Sequence, residues 1–186
     1  MTIDEIFSHL SEHMIEGLMI HSQMSNYYNF LGLDGYKECH KYHYYAENKN
    51  YAEICNYYLK HYNKIPMELP FNNPHVIPDN WYKYKRQDVD ASIVKAGLQQ
   101  GFDRWVLWEK DTKSIYQSFY QDLCNIGEVA AAIEVKKYIE DVDDELAHAE
   151  QEQLKLKAID YNLSDVMMMQ DEIKKKYKKK LREMEL

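Results

Sequence analysis

Residues 40–58, HKYHYYAENKNYAEICNYY, carry the pattern from which the fold of this chain can be read. Together with Tyr36, the residues His40, His43, Glu47, Tyr51, Ile54 and Tyr58 recur every three or four positions. That is the spacing of one face of an α-helix. Most of the stripe is aromatic or apolar, so it is expected to face a core. Glu47 stands in its middle. An isolated carboxylate withdrawn from water is costly, so an inward Glu47 must be protonated, paired or bound to a cation.

The flanking sequence repeats this theme. Upstream, residues 3–31 predict a first helix with Phe7, Leu10, Met14, Leu18, His21, Ser25 and Tyr28 on its inner side. Glu5, His9, Glu12, His13 and Glu16 gather opposite and are expected to face outward. LGLDG at 31–35 is a turn signal, and the helix carrying Glu47 covers roughly 35–63. All four prolines, Pro66, Pro70, Pro74 and Pro78, fall in the stretch that follows and prevent helical continuation. That connection is long enough to cross over instead of making a tight hairpin.

A third helix is expected over 88–124, with Leu98, Phe102, Trp105, Glu109, Thr112, Tyr116, Phe119 and Leu123 on one face. A fourth covers 128–160, its apolar line including Ile139, Val142, Leu146 and Ala149. Asn162-Leu-Ser-Asp breaks it, with Ser164 or Asp165 as N-cap of a final helix. The pattern predicts an all-α fold: a four-helix bundle over 1–162 with a long crossover between helices two and three, then a C-terminal helix with a basic tail over 163–186.

Composition narrows the function classes. The chain has 186 residues and a net charge of −8, which argues against nucleic-acid binding by the body of the protein. Cys39, Cys55 and Cys124 are odd in number and widely spaced, as expected of reduced thiols. The acidic start MTIDEIFSHLSEH lacks the features of a secretory leader, and no apolar run is long enough to span a membrane. Cytoplasmic residence is the expectation from these features.

Glu109 repeats the Glu47 problem between Trp105 and Thr112 on helix three. In DDELAHAE, residues 143–150, Glu145 and His148 lie three apart beside the inward line of helix four. His43 stands one turn before Glu47. Carboxylates and imidazoles from several helices, converging on a bundle core, are the donors that first-row metal ions take. The plainer reading is that each carboxylate faces a cleft or pairs with lysine or arginine.

The sequence also resembles the ferritin-like superfamily of ferritins, bacterioferritins and rubrerythrins over roughly residues 5–160. IHSQMSNYY resembles the helix-one segment and AENKNYAEICNYYLKHYNKIP the end of helix two. WEKDTKSI looks like the helix-three glutamate segment, and IEDVDDELAHAE like the acidic segment of helix four. The resemblance implies a metal site of Glu47, Glu109, Glu145 and His148, with His43 as a further donor one turn away. Glu47 and Glu109 would bridge or terminate, and His148 would be a terminal ligand. The implied metal is iron, as a pair or as a displaced single ion, with manganese and zinc as other candidates. The implied activity is a weak, ferroxidase-type oxidation of Fe(II), with no catalytic residues beyond the ligands, in a protein that self-associates.

Three departures bear on that expectation, one being that another register of IEDVDDE on helix four puts Asp141 or Asp144 at the site. The family's usual interval back from Glu47 reaches Met14, and the helix-two histidine position holds Asn50. A histidine-rich, asymmetric site is one outcome, with His21 facing inward on helix one. A bundle without metal, acting as a structural or interaction module, is the other.

The last helix ends in KKKYKKKLR, residues 174–182, with seven cations in nine positions. A solvated helix end is the first reading of such a run, and attraction to nucleic acid or an anionic surface the second. Just upstream, Val166-Met-Met-Met169 is apolar and could pack on the bundle or on another copy of the chain.

Overall fold

A computed structural model describes residues 1–67 and 83–184. Five α-helices make up the described residues: α1 (Ile3–Phe30), α2 (Asp34–Tyr62), α3 (Ala91–Asn125), α4 (Val129–Ala158) and α5 (Leu163–Met184). A 3-10 turn, Arg86–Asp88, precedes α3. The first four form the expected bundle, α1 packing chiefly on α2 and α3 on α4. Much of the proline-rich stretch lies outside the described residues.

Local chemistry sets the helix ends. Thr2 and Glu5 form a reciprocal capping box at the start of α1: the Glu5 N–H donates to Thr2 Oγ1 at 3.3 Å, and the Thr2 N–H donates to Glu5 Oε2 at 2.8 Å. Asn63 ends α2 in the left-handed conformation, φ 53°. Asp90 caps α3 by accepting the Ile93 N–H at 2.9 Å. The cap of α5 lies earlier than Ser164 or Asp165. Asn162 Oδ1 accepts the Ser164 N–H at 3.0 Å, so the helix already begins at Leu163.

The start of α2 has no side-chain cap of its own. Its free N–H donors are satisfied from α5 instead. Gln170 Oε1 accepts the N–H groups of Gly35 at 2.7 Å and Tyr36 at 3.1 Å. A Cβ on Gly35 would stand 2.6 Å from the Gln170 backbone oxygen, so this approach depends on glycine. Lys174 pairs with Asp34 at 2.6 Å, and further along Tyr177 meets Tyr42 with ring centroids 5.5 Å apart. α5 therefore runs beside α2 in the same direction. Val166 is fully buried and Met169 packs against the core, whereas Met167 and Met168 face outward.

The apolar core falls into two clusters. One contains Leu10, Met14, Ile54, Tyr116, Val135 and Val142. The other contains Ile20, Met24, Cys39, Trp105, Val106 and Ala149. On α2, α3 and α4 the inward His43, Glu47, Glu109 and Glu145 fall between the residues given to one cluster and those given to the other, and on α1 His21 sits beside the boundary, next to Ile20. The result is a buried polar belt across the middle of the bundle. No described helix is long and apolar enough to cross a membrane.

Candidate metal centre

The belt contains His21 from α1, His40, His43 and Glu47 from α2, and Glu109 from α3, all buried. Glu145 from α4 is partly buried, with 18% of its side chain exposed. One donor atom from each of His21, Glu109 and Glu145 can be chosen so that all three lie within 4.8 Å of one another. His21 Nε2 is 3.9 Å from Glu109 Oε1 and 4.0 Å from Glu145 Oε2. These separations are too long for hydrogen bonds but close enough for a shared ion.

Second contacts aim these donors. Trp105 Nε1–H donates to Glu109 Oε1 at 2.8 Å from one helical turn away. His21 Nδ1 lies 3.0 Å from His40 Nδ1, so one ring must donate to the other. When His21 Nδ1 carries the proton, its Nε2 lone pair points toward the carboxyl groups, the tautomer a metal ligand needs. His43 Nδ1 is 2.9 Å from Glu145 Oε1, though not aligned for a hydrogen bond.

Glu47 enters the belt from the α1 side. Its carboxyl group occupies the space left by Gly17: a Cβ there would be 3.3 Å from Glu47 Cδ. Its Oε2 has no hydrogen-bond partner among the described residues, nor do His21 Nε2, His43 Nε2 and Glu145 Oε2. Four buried polar atoms left unsatisfied in one layer are expensive unless something else is bound.

Electrostatics agree with this geometry. Burial, followed by the neighbouring Glu145 and Glu109 charges, holds the Glu47 carboxyl well above the usual carboxylate range. Burial and the Glu145 charge do the same to Glu109 against the opposing Trp105 hydrogen bond. Glu145 is pushed up to about 8, chiefly by burial. Burial also drives His21 and His40 well below the ordinary imidazole value and His43 down to about 3. Without a cation, burial favours the protonated form of the belt's carboxyls and the neutral form of its imidazoles. A bound cation would invert that balance by displacing the carboxyl protons.

His148 takes a different direction from Glu145. A three-residue step leaves a rotational offset of about 60°. His148 turns toward α5, its Nε2 standing 3.2 Å from the Tyr177 hydroxyl and 3.3 Å from Lys176 Nζ. It lies outside the His21–Glu109–Glu145 group. Burial pulls its pKa down to about 4. Met14 packs in the apolar core, and Asn50 lines a cleft between α2, α4 and α5. His13, expected on the outer side of α1, is buried with its Nε2 2.9 Å from Thr112 Oγ1.

The sequence placed His21 and His40 on inward stripes but did not pair them. It contained no signal for the part played by Gly17, because what a glycine makes room for depends on the helix opposite. The role of Tyr177 was equally hidden, since nothing local fixed where α5 would pack.

No protein-family profile and no curated protein matches the sequence. Two solved structures share the fold, both at 12% identity and a TM-score of 0.77. One is a humanized archaeal ferritin, matched over 92% of this chain and 94% of that one. The other is the Archaeoglobus fulgidus ferritin engineered into a closed form by site-directed mutagenesis, matched over 94% and 96%. The fold is therefore ferritin-like, with four bundle helices followed by a fifth.

Proposed function

We propose that this chain, carrying a ferritin-like fold with a donor set of its own, binds a divalent first-row transition metal in its central belt, iron foremost. The observation that carries this reading is the approach of His21, Glu109 and Glu145 donor atoms from three helices to within 4.8 Å. A mixed imidazole–carboxylate set suits iron, manganese and zinc. The fit favours one ion over two, because α1 offers His21 and Gly17 where a second bridging carboxylate would be needed.

In this reading His21 Nε2 and one oxygen each of Glu109 and Glu145 hold the ion. Trp105 fixes the Glu109 carboxylate, and His40 fixes the His21 tautomer. Glu47, one turn from His21 across Gly17, and His43, beside Glu145, are the reserve donors, and His148 is a neighbour beyond the ligand shell. The carboxyl protons leave when the ion enters. Fe(II) is then the substrate of a weak ferroxidase-type oxidation by dioxygen or peroxide, the chemistry iron supplies when bound. Assembly with further copies of the chain belongs to the same proposal, with outward Met167 and Met168 as contact residues; light scattering tests it.

Metal analysis of protein purified with added Fe(II), in parallel with Glu109→Ala, tests the site. About one ion per chain is expected in the parent and almost none in the variant. Near-zero metal in both would instead favour a metal-free bundle module. The His21–His40 and Trp105–Glu109 hydrogen bonds support that second reading, because they satisfy part of the belt without an ion.

A further inference from the structure

A solvent-open pocket of about 430 Å³ lies between α2, α4 and α5 and reaches the belt from the side. His43 and Glu145 form part of its lining, and Lys176 and Lys180 line it from α5. His43 is 5% exposed, and neither of its ring nitrogens has a hydrogen-bond partner among the described residues. A buried imidazole with unmet hydrogen-bonding capacity on a pocket wall is an observation separate from the lysines, and it too calls for a polar ligand.

The charges indicate the ligand's sign. Lys176 Nζ lies 3.3 Å from His148 Nε2, and Lys180 Nζ lies 4.7 Å from the Tyr42 ring centroid, across the pocket from Glu145. Neither makes an ion pair among the described residues. Asp141 and Asp144 also line the pocket, on α4, and Lys49 opposes the Asp141 charge. Glu145 lines the same α4 side, so the cationic wall of the pocket is α5, where Lys176 and Lys180 stand beside His148 and His43. Ammonium groups and imidazole N–H donors in one pocket recognise oxygen anions.

We infer that this pocket is a binding site for a small oxyanion, of the phosphate or carboxylate class, held by Lys176 and Lys180 with His148 and His43 as hydrogen-bonding partners. The site is formed only because α5 lies along α2. It gives the C-terminal lysines a specific task at two positions, whereas Lys175 and Lys178, exposed on the same helix, do not line the pocket. The anion site adjoins the proposed cation site, but its test needs no metal.

Titration calorimetry of the full chain with inorganic phosphate and, separately, with oxalate at low ionic strength tests the inference. The parent is compared with Lys176→Gln/Lys180→Gln and with Lys175→Gln/Lys178→Gln, which removes the same charge outside the pocket. Saturable binding that weakens roughly tenfold or more only in the first double variant is expected. Binding of phosphate alone or oxalate alone assigns the ligand to that source, and binding of both supports the shared class. Equal weakening in the two double variants, or no saturable binding of either anion, would overturn the inference. Because the lysines are at the surface, thermal melts of both variants should match the parent. Anion binding with no metal uptake would overturn only the proposed cation site, and metal uptake without anion binding only this inference.

Discussion

Glu47 on α2 lies in the space that Gly17 leaves on α1, its Cδ only 3.3 Å from where a Cβ would stand. The contact is with the end of a flexible side chain, so a methyl group can be accommodated by a small movement. Gly17→Ala is expected to change stability by no more than about 1 kcal/mol, the gain in helix propensity offsetting the crowding. Gly17→Leu cannot be accommodated in this way. It should cost about 1–3 kcal/mol and lower metal affinity by displacing Glu47. Urea denaturation and metal titration of the two variants measure both effects; an unaltered affinity in Gly17→Leu would remove Glu47 from the site.

Trp105 should report on the belt. Its indole N–H donates to Glu109, so an ion bound by Glu109 would lie close enough to quench its emission. Fe(II) or Co(II) is expected to lower tryptophan fluorescence saturably, and Trp105→Phe to abolish most of that change. The same substitution leaves Glu109 short of a buried donor, at a cost of about 1–3 kcal/mol. Quenching that survives in Trp105→Phe would place the ion elsewhere.

The pH dependence of stability follows from opposing shifts. Glu145 rises from 4.5 to about 8, so between those values the folded chain holds a proton that the unfolded chain has released. Stability from this group falls as pH rises through that window. His43 falls from 6.5 to about 3 and His148 to about 4, so their contributions are lost as pH drops below 6.5. Above 6.5 only the carboxyl slope remains. Metal-free protein is therefore expected to lose stability from about pH 6.5 to 8, while saturating metal flattens the loss because cation and protons compete. Denaturation midpoints across that range, with and without metal, provide the check; identical slopes would count against a cation in the belt.

Gln170 connects α5 to the unfinished start of α2. Gln170→Ala strands two buried N–H donors and should cost about 2 kcal/mol or more. Gly35→Ala forces a Cβ against the backbone of α5 and should also loosen it. Hydrogen exchange is expected to accelerate in α5 and the first turn of α2, with α3 unaffected. Protection unchanged in α5 would show that other contacts hold this helix.

The sequence by itself determined the helices, their approximate limits and the inward faces of Glu47 and Glu109, because helical period and breaker residues are local properties. It also placed Glu145 and His148 beside an inward line. Tertiary structure decided which inward groups meet. A stripe fixes a helix's face but not its rotation or axial register against its neighbours, and a rotation of a few tens of degrees separated His148 from Glu145. It likewise brought His21 to Glu109 and Glu145, fitted Glu47 against Gly17, and laid α5 along α2. Those outcomes depend on the packing of residues far apart in the chain, where only assembled volumes and the hydrogen bonds left unmet at α2's start select one arrangement.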